Sequence, residues 1–189
     1  MKNKLIILIV TTFVLLSCVK KTEQKNISKA QSNTEESQPK EIPKKNILVI
    51  DAVKKFGPHI SSTYQKAVCT ELVIQIIEKF HPLENTDKNR IRIITVENIQ
   101  DLLKTNSPIP KGVYYALIEK KIGFSIEQEK VLEGDFVQFW TETWGHCGIV
   151  KSINPEKKEM ELYSSFPSTN GYGIQKFSIP EYSFFVRLK

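Results

Sequence analysis

Two residues of this chain have the types and placement that thiol chemistry requires, a cysteine opening an amphipathic segment and a histidine opening a β segment. Cys69 begins the run Cys69-Thr-Glu-Leu-Val-Ile-Gln-Ile-Ile-Glu-Lys-Phe80, where Leu72, Val73, Ile76, Ile77 and Phe80 recur at helical spacing. The spacing predicts a helix from Val68 onward, with Cys69 in its first turn and on its buried side. Unpaired backbone N–H groups and the positive end of the helix dipole favour a thiolate at such a position. A small core residue is the other ordinary role for a free cysteine. What separates the two roles is whether the chain supplies a base.

Of the three histidines, His59 follows Gly57-Pro58 in an expected loop. His81 precedes Pro82, where a ring can serve the last carbonyls of a helix. His146 differs. It opens the strand-like run Gly145-His-Cys-Gly-Ile-Val150, in which a period of two puts His146, Gly148 and Val150 on one face and Cys147 and Ile149 on the other. Gly148 leaves room beside His146, and the apolar face of the Cys69 helix is the expected neighbour. A cysteine at a helix start facing such a histidine can pass its proton to the imidazole and attack a carbonyl as a thiolate.

Three blocks then carry a family likeness. Cys69-Thr-Glu-Leu-Val73, Glu133-Gly-Asp-Phe-Val-Gln-Phe139 and Gly145-His-Cys-Gly-Ile-Val150 resemble the NlpC/P60 and CHAP group of papain-like cysteine peptidases and amidases. The likeness spans roughly residues 60 to 177. It implies an α+β fold of the papain-like NlpC/P60 type, with N-terminal helices packed on a small antiparallel sheet. It also implies cleavage of amide bonds in peptidoglycan stem peptides through a Cys69 thioester, with His146 as base and acid. NlpC/P60 proteins usually carry Asp-Cys-Ser-Gly where this chain has Val-Cys-Thr-Glu, which marks a divergent subfamily.

A third polar group should orient the imidazole. Antiparallel counting about Glu156 brings Tyr163 to Phe166 alongside His146. Ser164 is the preferred orienter; Ser165 or a backbone carbonyl are alternatives, and Glu161 and Asn170 are outsiders. The backbone N–H of Cys69 is positioned to receive an oxyanion, with Tyr64 or Gln65 as a second donor. Trp140 and Trp144 are candidate cleft walls, although core packing explains a tryptophan equally well. Three rival readings keep the same residues. A Cys69–Cys147 disulfide would make a non-catalytic binding module, and a different acceptor would make an acyltransferase or thioesterase. A metal site from Cys69, His146 and Cys147 lacks a fourth ligand and compact spacing, so neither metal nor cofactor is expected.

The elements that must position these residues read as follows. Ile47–Val53 suits a strand or a helix start and is broken at Gly57-Pro58. Arg90–Ile94 alternates as a short strand. Thr95 caps a helix through Lys104 that buries Val96, Ile99, Leu102 and Leu103. A third helix spans about Lys111 to Lys121. Strands follow at 135–140, 145–153, 159–165, 171–177 and 184–188.

Ahead of this domain, Met-Lys-Asn-Lys, an apolar run from Leu5 to Leu16 and then Ser17-Cys18 read as an export signal, too short for a spanning helix. Its Leu-Leu-Ser-Cys ending resembles a lipoprotein lipobox, with Cys18 as the lipidated residue. The boundaries are 1–18 for the signal, 19–45 for a polar tether and 46–189 for the catalytic domain. Residues 1–45 hold nine Lys and four Glu, whereas the rest holds 18 basic and 17 acidic residues. Five of the six net positive charges therefore belong to the leader and tether, so the charge says little about the domain's partner, and no nucleic-acid partner is expected. The expected partners are peptidoglycan stem peptides and a membrane reached through the lipid, for a monomer in the bacterial cell envelope.

Overall fold

The computed structural model describes residues 41–189. The export signal, Cys18 and residues 19–40 of the tether lie outside the described residues. Among those described, five α-helices and six strands form an α+β arrangement, with every strand pairing antiparallel in one sheet. The helices are α1 (Lys44–Ile60), α2 (Cys69–Ile77), α3 (Asn85–Arg92), α4 (Ile99–Lys104) and α5 (Gly112–Glu119). The strands are β1 (Gly123–Ile126), β2 (Phe136–Trp140), β3 (Gly145–Asn154), β4 (Glu159–Phe166), β5 (Gly171–Ser178) and β6 (Tyr182–Leu188). Their order across the sheet is β1-β6-β2-β3-β4-β5, so the last strand returns between the first two.

The alternation of the strands creates two cores. On one face Phe136, Cys147, Ile149, Tyr163, Val186 and Leu188 pack with the apolar stripe of α2 and with α1 and α5. On the other, Val137, Phe139, Val150, Leu162, Phe166 and Phe185 form a smaller cluster. The Glu133-Gly-Asp135 turn ties these parts together. Asp135 is fully buried and receives Arg187 Nε at 2.6 Å, Arg187 Nη2 at 2.7 Å and Asn46 Nδ2 at 2.8 Å. One carboxylate thus joins the start of α1 to β6 through charge-assisted bonds. Gly134 stands at φ +84°, packed against the Asn46 backbone where no Cβ would fit.

Several elements differ from the sequence expectations. Gly57-Pro58 does not break α1 at once: Pro58 falls in its last turn, forgoing one N–H bond there, and the helix ends two residues later at Ile60. Gly57 instead admits the Tyr172 ring of β5 against the helix, and His59 lies in that last turn rather than in a loop. Residues 90–92 belong to α3, not to a strand. Glu84 N–H donates to Asp87 Oδ2 at 3.0 Å to fix the helix start, and Ile93 at φ 55° ends it. Asn98, not Thr95, caps α4, its Oδ1 accepting from Gln100 N at 2.9 Å and Asp101 N at 3.2 Å. Val96 consequently precedes the helix and is fully exposed instead of buried. Strand β1 had no counterpart among the expected elements. Among the described residues, no helix is long and apolar enough to cross a membrane.

Candidate active site

Cys69 is the first residue of α2 and is half-buried. The segment leading to it is held from below. The hydroxyls of Ser61 and Ser165 both donate to the Ala67 carbonyl at 2.6 Å, and Tyr172 N–H donates to Ser61 O at 2.8 Å. The helix start is therefore clamped by β4 and β5 before the chain enters α2. Glu71, in the first turn, receives Arg92 Nε at 2.6 Å and Nη2 at 3.0 Å, which draws the end of α3 to the same place.

Strand β3 brings the partners. Cys147 is fully buried, and its thiol lies close enough to the Cys69 sulfur for the two to interact through a shared proton. Cys69 is held well below the ordinary thiol range, first by that interaction, then by the hydrogen bond and charge of His146 and by the Cys147 backbone N–H. Burial opposes these effects but does not overcome them. The Cys147 thiol is pushed well above its ordinary range by the interaction with Cys69, by its burial and by the Cys69 charge. Both cysteines are free. The two thiols are thus unequal, with Cys69 the one poised to ionise.

His146, 8% exposed, lies on the aromatic side of the sheet. Its ring stacks on Phe166 at 4.9 Å between centroids, with Phe139 and Phe177 at 5.9 and 6.0 Å. His146 Nε2 is 3.0 Å from Ser164 Oγ, and Ser164 Oγ donates to the Cys147 carbonyl at 2.8 Å. A serine hydroxyl has one proton, and a carbonyl can only accept. The Ser164 proton is thus committed to Cys147 O, so Nε2–H must donate to Ser164 Oγ. The lone pair of the imidazole in its neutral form therefore falls on Nδ1, the nitrogen that Ser164 does not engage.

The expected approach of α2 over His146 and Gly148 is corrected by the packing. The α2 stripe covers the Cys147 and Ile149 face, because those side chains are the apolar ones on that face. Gly148 makes room for β4 instead, where a Cβ would stand 3.0 Å from Tyr163 O and 3.2 Å from Ser164 Cβ. The clearance serves Ser164.

An open cleft of about 270 Å³ exposes this group. Cys69, His146, Cys147, Gly145, Trp140 and Gln138 line one side, and Thr70, Arg92, Ile93, Thr95, Glu97 and Ile99 the other. Trp140 is held by a bond from Nε1 to Pro110 O at 2.7 Å, and its ring covers Gly145. Trp144 is not among the lining residues; it is 45% exposed and sits edge-on to Phe139 on the opposite face. Tyr64 lies close enough to Cys69 that its hydroxyl is raised by burial and then by the Cys69 charge. Gln65 is exposed and does not line the cleft. Of the other orienters considered, Ser165 is spent on Ala67 O, Glu161 accepts from Lys151 Nζ at 2.7 Å, and Asn170 occupies the β4–β5 turn at φ 48°.

Sequence reasoning missed Gln138 and the segment 92–99. The signal for Gln138 was present. It is the one polar residue in Phe-Val-Gln-Phe-Trp, and period two places it on the Cys147 face. Among the described residues, no group of three or more His, Cys, Asp or Glu is placed to hold a metal. No family model matches the chain, and no curated protein matches it.

Proposed function

We propose that this protein is an exported cysteine hydrolase of papain-like, NlpC/P60-type architecture that cleaves amide bonds in peptidoglycan stem peptides. The observation that carries the reading is that Cys69 and His146 line one cleft, with His146 Nε2 3.0 Å from Ser164 Oγ and Ser164 Oγ donating to the Cys147 carbonyl. Nδ1 takes the thiol proton and the Cys69 sulfur attacks the scissile carbonyl carbon. The negative oxygen of the tetrahedral intermediate meets the free N–H groups at the start of α2, with the Tyr64 hydroxyl as a second donor. The imidazolium then protonates the departing amine, leaving a thioester on Cys69. Water, losing its proton to the same imidazole, hydrolyses the thioester and restores the thiol. Ser164 orients the ring throughout and stabilises its Nε2–H.

The three sequence blocks that resemble NlpC/P60 proteins support the substrate class. The export signal and Cys18 support a lipid-anchored place in the cell envelope. Incubation of purified peptidoglycan with the wild type should release soluble peptide-bearing fragments, and Cys69→Ala should release none. Equal release by both, or none by either, would reject the reading.

A further inference from the structure

A second open pocket, of about 300 Å³, adjoins the catalytic cleft. Arg90, Ile93, Ile94, Ile109 and Tyr115 line it, and Ile93 also lines the cleft. Ile93 ends α3 at φ 55°, and just beyond it Ile94 lines the pocket while Thr95 lines the cleft. The wall between the two hollows is thus a single stretch of chain, and an extended ligand in one can pass over Ile93 into the other.

The cations of this region are not equivalent. Arg92 is closed by its two bonds to Glu71, at 2.6 and 3.0 Å. Lys120 is closed by Asp87 at 2.9 Å. Arg90 has Asp87 Oδ1 at 3.6 Å, beyond hydrogen-bond length. Its guanidinium lies over the Tyr115 ring at 5.3 Å, a contact that positions the plane without spending its N–H groups. A guanidinium carries five N–H donors and keeps its charge at any ordinary pH. The side chain is 34% exposed, so those donors are open to a ligand.

Arg90 is the one charged residue among those lining the pocket, and three isoleucines and a tyrosine ring supply most of the rest. Ile94 is 70% exposed at its mouth. One fixed positive charge among apolar walls suits a carboxylate on an aliphatic frame, which a guanidinium binds through two parallel hydrogen bonds. A phosphate, with close to two negative charges, would find a single cation here. Thr86 and Asn89, also in the lining, can donate to the same carboxylate.

We propose that this pocket is a carboxylate-binding subsite of the catalytic cleft, in which Arg90 takes a free carboxylate of the peptide substrate. The assignment rests on the peptide-hydrolase reading and narrows it to peptides that carry an acid within reach of the scissile bond.

Titration calorimetry with two matched pairs of ligands tests it. One pair is N-acetyl-alanyl-alanine and its C-terminal amide. The other is N-acetyl-alanyl-glutamic acid amide and its glutamine analogue. In at least one pair the wild type should bind the acid about tenfold more tightly, and that pair says whether the carboxylate is terminal or on a side chain. The preferred acid should also slow Cys69 alkylation by iodoacetamide, because the peptide reaches past Ile93. Arg90→Met should lose the preference and still fold, since Asp87 keeps Lys120. Ile94→Glu, at an exposed position, sets a negative charge at the mouth and should lose it too; this variant decides alone if Arg90→Met does not fold. A wild type that prefers the acid in neither pair, a preference that survives in either variant, or alkylation unslowed at saturating acid would overturn the assignment. Acid preference without release from peptidoglycan would reject the cell-wall substrate and leave the pocket standing; release without acid preference would do the reverse.

Discussion

Ser164→Ala isolates the contact that orients His146. The hydroxyl makes two buried contacts, at 3.0 Å to His146 Nε2 and 2.8 Å to the Cys147 carbonyl. Its loss removes both bonds and leaves an imidazole N–H and a backbone carbonyl without their partner. Each net bond contributes about 1 kcal/mol and each orphaned group adds a desolvation penalty, so the expected loss is about 2–4 kcal/mol. For a domain of this size that corresponds to a fall in melting temperature of about 5–15 °C. The imidazole also loses what fixes its tautomer, and misorientation of this kind costs about 100-fold in turnover. Thermal denaturation and the rate of Cys69 alkylation near neutral pH measure the two effects separately. Ser165→Ala is the control: Ala67 O keeps the Ser61 hydroxyl, so stability should fall by about 1 kcal/mol with alkylation unchanged. A Ser164→Ala protein that melts with the wild type and alkylates at the same rate would refute the role given to Ser164.

Cys147→Ala removes the first contribution that lowers the Cys69 thiol. The inflection of its alkylation rate with pH should therefore move upward, and labelling near neutral pH should slow, as followed by mass spectrometry across a pH series. An unmoved inflection would contradict the thiol–thiol interaction. Asp135→Ala leaves the Arg187 guanidinium, 13% exposed, without its buried carboxylate. Urea denaturation should show a loss of about 3–5 kcal/mol. Gly148→Ala places a methyl 3.0 Å from Tyr163 O and 3.2 Å from Ser164 Cβ, so strands β3 and β4 must part. The same measurement should show a loss of about 1–3 kcal/mol.

Much of this architecture was legible because it rests on local patterns. The α2 stripe, the strands of the second half and the counting that set Ser164 beside His146 all follow from periodicity and hairpin geometry. The helix α3 was not legible. Arg90-Ile-Arg-Ile-Ile94 alternates like a strand, but the local Glu84–Asp87 capping box, which the sequence reading passed over, and the tertiary Arg92–Glu71 pair outweigh that pattern. The same holds for Gly148. Its absent side chain signalled a close approach correctly, but the partner was the neighbouring strand, which period alone does not identify. Gln138 shows a subtler limit. A lone polar residue in an apolar strand was visible, but only the fold reveals that it faces Cys147 with an unpaired oxygen.

The central claim, that Cys69 is the activated thiol, is tested most directly by competitive alkylation of the native protein. Substoichiometric iodoacetamide near neutral pH, followed by peptide mapping, reports which cysteine reacts. Cys69, half-buried in the cleft and held low by Cys147 and His146, should take nearly all the label, and Cys147 almost none. Equal labelling, or labelling of Cys147 ahead of Cys69, would contradict the assignment of the nucleophile.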